Sequence, residues 1–357
     1  IEVYKKAIAI KPDYAEAYNF IGVSLEDQGK PKEAIASFNK ALSIQPDFAE
    51  ALENFYGLAV QLLSSSHEVQ KNLRYLIGQQ PPHICSRPRY QILNAIKVFI
   101  EMDFEKTQLH LSNFRACKKA QLDNLSITNS VFCGGYSNFI GELLKRHSHE
   151  TDSFHTEKKV YHLGESHCLS YAHHNIKIDN EKYKITPLIT FGAKAFHFSR
   201  SVEDAYKSIT QLNFAYIPTE SNVFISFGEI DCRPNEGFIT AATKLNIPVT
   251  KVINETVSGY LRWFWGQNES QNHRLFFFNV PAPVYNKEYS ADLNQKVLNT
   301  VHLFNNVLKQ YTKHYGFHLI DVFQFTVGDA GFSNGFFHID GLHLGAKAIT
   351  EIERQLR

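Results

Sequence analysis

At 357 residues, with 43% hydrophobic and 20% charged positions, the chain has the composition of a globular protein and the length for more than one domain. A formal net charge of +1 provides no strong field that would select nucleic acid or an anionic membrane as partner, and every apolar run falls well short of the roughly 18 residues a membrane helix needs. The five cysteines are odd in number and lack Cys-x-x-Cys spacing, which argues against a disulfide framework or a cysteine zinc site and for a reducing, cytoplasmic setting.

Residues 1–63 carry an internal repeat. Pro12-Asp13-Tyr14-Ala15-Glu16-Ala17 returns as Pro46-Asp47-Phe48-Ala49-Glu50-Ala51, 34 positions on. Gly22, Ala34, Phe38 and Ala41-Leu42 fall where small and large residues alternate in helix pairs, and Asp27-Gln28-Gly29-Lys30-Pro31 supplies the turn. This period and pattern resemble the tetratricopeptide repeat, which implies stacked helix pairs and a groove for a protein partner. Ile1 to Pro12 reads as the second helix of a repeat whose first helix is missing, so a truncated array is expected. Tyr14, Tyr18, Asn19 and Asn54 are candidate groove residues, although packing accounts for each of them as well.

Residues 64–158 read as a helical connector. Ser64-Ser65-Ser66 and Gln79-Gln80-Pro81-Pro82 break it, while Tyr90 to Met102, Phe104 to Ala120 and Tyr136 to His147 alternate apolar and polar positions at helical spacing. Cys133-Gly134-Gly135 reads as a loop between helices. His147, His149 and His155 lie in a polar run from Arg146 to Lys159 that reads as a solvated linker rather than a metal site.

From residue 159 to 357 the pattern becomes strand and helix in alternation. Lys159 to Leu163, Tyr183 to Phe191, Val223 to Phe227, Leu275 to Val280 and His318 to Val322 are predicted strands. Helices are predicted over His167 to His173, Val202 to Leu212, Gly237 to Leu245, Lys251 to Gly266, Ala291 to Tyr315 and Gly345 to Leu356. Such alternation implies an α/β fold: a parallel sheet of five strands covered on both faces, in a flavodoxin-like order.

Two sequence-local clusters carry chemistry. The first predicted strand ends in Gly164-Glu165-Ser166, which places a serine hydroxyl beyond the carboxyl end of a strand, where open α/β sheets bind ligands. Near the end of the chain, Asp340-Gly341-Leu342-His343 offers a carboxylate and an imidazole three residues apart before the last helix. A nucleophilic serine needs a base, and the base needs a carboxylate to fix its tautomer. Together these blocks resemble the SGNH/GDSL hydrolase family, whose first block is Gly-Asp-Ser and whose last is Asp-x-x-His. The resemblance covers about Lys159 to Arg357 and implies a three-layer α/β/α domain with Ser166, His343 and Asp340 as catalytic residues and no cofactor.

The resemblance also implies an oxyanion site. Gly192, after the second predicted strand, matches the family's second block through its backbone N–H. In Gly228-Glu229-Ile230-Asp231 the family usually has Gly-x-Asn-Asp. Gly228 and Asp231 match, but Ile230 takes the place of the donating asparagine, and Glu165 replaces the aspartate of the first block. Glu229, Asp231 and Arg233 crowd the end of a central strand as candidate substrate-binding residues, and Arg233 could supply the missing donor. Trp263 to Trp265 are aromatic candidates for facing a sugar or acyl group.

The expected function is a serine esterase or acylhydrolase acting on a small ester or an O-acetylated carbohydrate, with a repeat module that binds a protein. Two alternatives remain at this level: a glycan O-acyltransferase, and a scaffold that keeps the hydrolase fold without activity. Metal-dependent hydrolysis through Glu165, Asp231 and His343 has no local ligand spacing behind it.

Overall fold

The computed structural model describes residues 1–62, 86–147 and 156–357. The breaks expected at Ser64–Ser66 and Gln79–Pro82, with Cys85, His149 and His155, lie outside the described residues. The chain divides into two compact units, one of Ile1–Thr151 with Glu203–Leu212, the other of Asp152–Val202 with Asn213–Arg357.

The first unit is helical. Glu2–Ile10, Ala15–Asp27, Pro31–Ile44 and Ala49–Gln61 follow one another, with Pro31 in the first turn of its helix, where its missing N–H costs nothing. Phe38 is fully buried, and its ring lies against Gly22 so closely that an added Cβ would be 2.5 Å from the ring. Gly22→Ala is therefore expected to displace the ring and destabilise the helical unit by about 1–3 kcal/mol. A denaturant titration of the full chain should register this as a lowered first midpoint, and an unchanged midpoint would count against the packing. Asn19 is buried and accepts from Asn54 Nδ2 at 3.1 Å, so these two candidate groove residues hydrogen-bond to each other.

Further helices run over Pro88–Ile100, Phe104–Arg115, Lys119–Asp123 and Ile127–His147. The Cys133-Gly134-Gly135 stretch is thus no loop. It lies inside the last of these helices, where Cys133 is buried and a Cβ on either glycine would meet nothing within 4 Å.

The second unit is built on a mixed sheet of six strands, a correction to the five-stranded parallel expectation. The strands are β1 Lys159–Gly164, β2 Asn175–Ile178, β3 Glu181–Ile189, β4 Asn222–Ser226, β5 Arg274–Phe278 and β6 His318–Ile320, in the order β2-β3-β1-β4-β5-β6. The five strands from β3 to β6 in that order are parallel, and β2 adds an antiparallel edge through a tight turn at Asp179 and Asn180, both with positive φ. At the centre, Leu163 of β1 stands opposite Leu188 of β3 and Ile225 of β4. The buried stretches of these strands, such as residues 223–225 of β4 and 188–189 of β3, are apolar, as strands covered on both faces must be.

Alternation along β5 divides the two cores. Phe276 and Phe278 join Val160, Phe224 and Ile352 on one face, beneath the C-terminal helix Ile349–Gln355. Phe277 faces the other way, against Tyr260 and Phe264 of the helix Val249–Asn268. Trp263 packs on Phe198 and Phe264 in that second core, whereas Trp265 is exposed beside Tyr315. Ser290 caps the long helix Ala291–Tyr315 by accepting from Leu293 N.

Candidate active site

β1 delivers its last residues to the carboxyl end of the sheet. Gly164 comes so close to β4 that a Cβ would lie 2.4 Å from Ser226 Oγ and 3.0 Å from Ser226 O, which reserves the position for glycine. Ser166 then opens a single 3₁₀ turn, Ser166–Leu169, instead of the longer helix expected over His167 to His173. His173 itself adopts φ 70°, which turns the chain away from a helical path and toward β2.

The loop before the C-terminal helix meets this turn. Asp340 Oδ1 accepts from Leu342 N at 2.7 Å and from His343 N at 2.6 Å, which fixes the carboxylate in its own loop. Its Oδ2 lies 2.7 Å from His343 Nδ1, and His343 Nε2 lies 2.8 Å from Ser166 Oγ. Burial raises the Asp340 carboxyl, but the hydrogen bond and charge of His343 and the two backbone donors outweigh it and bring the pKa down to about 2. Burial lowers His343 below the usual imidazole value, with His167 adding to the shift and Asp340 opposing it. At neutral pH the ring is a neutral base with Nδ1–H on Asp340, leaving Nε2 to accept the serine proton.

The single Ser166 hydroxyl proton has two acceptors in reach, His343 Nε2 and Glu165 Oε2, and goes to one of them at a time, while the other Glu165 oxygen meets His167 Nδ1. The Glu165 side chain is 2% exposed. Burial favours its neutral form, but the charge and hydrogen bond of His167, helped by His343 and Ser166, hold its pKa at about 2. Nothing local in the sequence singles out His167, since its remaining contact, Nε2 to Leu342 O at 3.3 Å, is with a residue 175 positions away.

The other expected site residues fall around this centre in different ways. Gly192, with φ 67°, lies in the turn after β3, whose end is tied to β1 by Thr190 N donating to Gly164 O at 2.8 Å. Gly228 precedes the short helix Glu229–Cys232. Asp231 is 1% exposed and accepts from Ala195 N at 2.7 Å and Phe196 N at 3.1 Å, which joins the loop after β4 to the loop after β3. Burial pushes its carboxyl up to about 7 against those donors. Its two oxygens therefore serve the backbone.

Arg233 is engaged by carboxylates of its own segment. One helical turn separates it from Glu229, and the fork closes on that carboxylate, Nη2 to Oε2 at 2.6 Å and Nε to Oε1 at 3.1 Å, with Nη1 at 3.3 Å from Glu236. Ile230 is buried and offers no donor. Arg233→Ala would leave the Glu229 carboxylate, 13% exposed, without its counter-charge, at a cost of about 2 kcal/mol. Arg233→Lys should recover only part of this because the bidentate geometry is lost, and equal unfolding midpoints for all three proteins would count against a structural role for the pair.

A cavity of about 540 Å³ adjoins the loop, lined among others by Glu229, Arg233, Pro281, Tyr285, His338 and Leu342. Ala282 and Pro283 line it as well. His338 is held by Ser333 Oγ at 2.8 Å, and burial lowers its pKa to about 4. A smaller chamber of about 30 Å³ lies behind the serine turn, bounded by His162, Glu165, Ser170 and Ser226. Asn279 ties the loops beside it, donating to Asp321 Oδ1 at 2.8 Å and accepting from Val322 N at 2.8 Å.

Among the described residues, no group of three His, Cys, Asp or Glu side chains is placed to hold a metal ion, and no helix is long and apolar enough to cross a membrane. Cys117, Cys133, Cys168 and Cys232 are free thiols.

Comparison with known proteins adds two findings. The tetratricopeptide repeat family matches residues 15–48, the span of the second and third helices. Solved structures similar to this chain include lipases and acylhydrolases, one of them described as GDSL-like. An extracellular lipase from Streptomyces rimosus is 12% identical, over 56% of this chain and 98% of that one, with a TM-score of 0.37. A lipase/acylhydrolase from Enterococcus faecalis is 15% identical, over 56% and 93%, with a TM-score of 0.35. A GDSL-like lipase from Bacteroides thetaiotaomicron is 15% identical, over 59% and 93%, with a TM-score of 0.36. No curated protein matches the sequence.

Proposed function

We propose that the chain is a serine esterase or acylhydrolase that works through an acyl-enzyme. The observation that supports this reading is the unbroken series Ser166 Oγ, His343 Nε2, His343 Nδ1, Asp340 Oδ2, with gaps of 2.8 and 2.7 Å. Ser166 Oγ attacks the ester carbonyl while its proton passes to His343 Nε2, and Asp340 stabilises the imidazolium that forms. Collapse of the tetrahedral intermediate expels the alcohol, which takes the proton back from His343. A water activated by the same ring then releases the acid and restores the serine.

The substrate is a small ester or an acylated glycan whose bulk occupies the larger cavity. Its volume of about 540 Å³ lies in the roughly 300–1,000 Å³ range of ligand pockets. The tetratricopeptide unit holds a protein partner. Ile230 in place of a donating side chain favours a second reading, a binding protein that keeps the fold without turnover. A fluorophosphonate probe separates the two: labelling mapped to Ser166 supports the enzyme, and an unlabelled folded protein supports the scaffold. Turnover of p-nitrophenyl acetate with and without an added glycan then distinguishes hydrolysis from transfer.

A further inference from the structure

The turn that carries the nucleophile and the loop that carries the base come from opposite ends of the second unit, and one side chain spans them. His167 Nδ1 meets Glu165 Oε1, and His167 Nε2 meets the carbonyl of Leu342 at 3.3 Å. Leu342 sits between Asp340 and His343, and its own N–H is on Asp340 Oδ1 at 2.7 Å. Both partners of the His167 ring are acceptors. A neutral imidazole carries one N–H and would turn a lone pair toward one of them, whereas the imidazolium donates to both. The ring also stands 4.6 Å from the His343 ring, centroid to centroid.

We propose that His167, as an imidazolium clamped on Glu165, is a positioning residue that holds the Asp340–His343 loop over Ser166, and that its loss of a proton ends the alkaline range of the reaction. The inference deepens the serine-hydrolase reading and rests on it. Glu165 Oε1 is engaged by His167 and Oε2 lies within hydrogen-bond reach of Ser166 Oγ, so the clamp also places the carboxylate that shares the serine proton with His343.

The groups facing His167 agree with this charge state. From its own turn comes Glu165, from the helix after β4 come Glu229 and Arg233, and from the C-terminal loop come His343 and His338, with His162 beneath on β1. Burial pulls His167 down, but Glu165 by charge and hydrogen bond, then Glu229, raise it against Arg233 to about 9. His162, fully buried, is driven to about 3 and stays neutral, and His343 is held below its ordinary value. The two neighbouring rings therefore titrate on opposite sides of neutrality: the base must lose its proton and the clamp must keep its own.

The rate of fluorophosphonate labelling of the full chain should follow a bell against pH. The acid limb belongs to His343, and the alkaline limb falls near pH 9. In His167→Gln the plateau should drop by about 100-fold, the usual scale for a misplaced reacting group, and the alkaline limb should vanish. A uniformly slower variant with the limb unmoved would mean that His167 only supports the fold, and would overturn the proposal.

Imidazole ¹⁵N resonances of the wild-type protein give a readout that needs neither a variant nor a substrate. His167 should be protonated at both nitrogens at pH 7.5, and titration below pH 7 would overturn the clamp. If Ser166 is unlabelled at every pH, the hydrolase reading fails, but the clamp is still tested by the same resonances. Removing the cation in His167→Gln should raise the His343 titration midpoint, because His167 depresses it. An unmoved His343 would mean that the rings are not held together.

Discussion

Ser166→Ala is expected to lower ester turnover by about 10⁶-fold and to abolish fluorophosphonate labelling, the loss seen when a serine nucleophile is removed from a unit of this kind. The hydroxyl supplies the atom that forms the acyl bond, and His343 Nδ1 faces Asp340 Oδ2 at 2.7 Å while Nε2 faces Ser166 Oγ at 2.8 Å. The three groups act as one unit, so adding His343→Ala to Ser166→Ala should change little, and neither single variant should keep much more activity than the pair. The fold should survive, because Ser166 caps no helix longer than a single 3₁₀ turn and its bonds go to Glu165 and His343 alone among side chains. Steady-state turnover of p-nitrophenyl acetate and intact-mass detection of the adduct measure both effects. Full labelling of Ser166→Ala would place the nucleophile elsewhere.

Asp340→Asn should cost about 10⁴-fold in kcat while leaving the loop in place. The asparagine oxygen can keep the bonds from Leu342 N and His343 N, at 2.7 and 2.6 Å, so the local turn survives. The amide nitrogen then occupies the place of Oδ2 and donates to His343 Nδ1. That drives the imidazole proton to Nε2, which now points a donor at Ser166 and cannot take its proton. The remaining activity should also shift in pH. Asp340 raises the His343 pKa by its hydrogen bond and its charge, so its loss lowers that pKa and moves the acid limb to lower pH. A pH profile of kcat tests both. A slow variant with an unmoved acid limb would mean that the limb does not report His343.

The sequence and the structure agree where a feature is carried by neighbouring residues. Gly-Glu-Ser after an apolar run and Asp-x-x-His before a final helix are local, and so are the helix-turn pattern of Pro31 and the strands of continuous apolar character. Disagreement begins where distance along the chain decides the outcome. β2 is only four residues, Asn175–Ile178, and its identity as a strand comes from pairing with β3 rather than from its own pattern. The glycines at 134 and 135 read as punctuation, but the helix Ile127–His147 carries them through. Arg233 is a local exception: it reads as a free fork, but Glu229, only one helical turn earlier, closes it. His167 is the strongest case, since its place is set by a carbonyl from the far end of the unit.

The short strands at the two borders of the sheet have a consequence for how the protein keeps to itself. β2 has four residues and β6 three, and β2 exposes Lys177 in the middle of its run. A foreign strand laid along either border would find only a few open N–H and C=O groups before the ladder ended, and on one side a solvated ammonium in its path. The long apolar strands β1, β4 and β5, which would template aggregation most readily, are each flanked on both sides by their own neighbours. Recruitment of other chains by strand addition is thereby disfavoured on this unit.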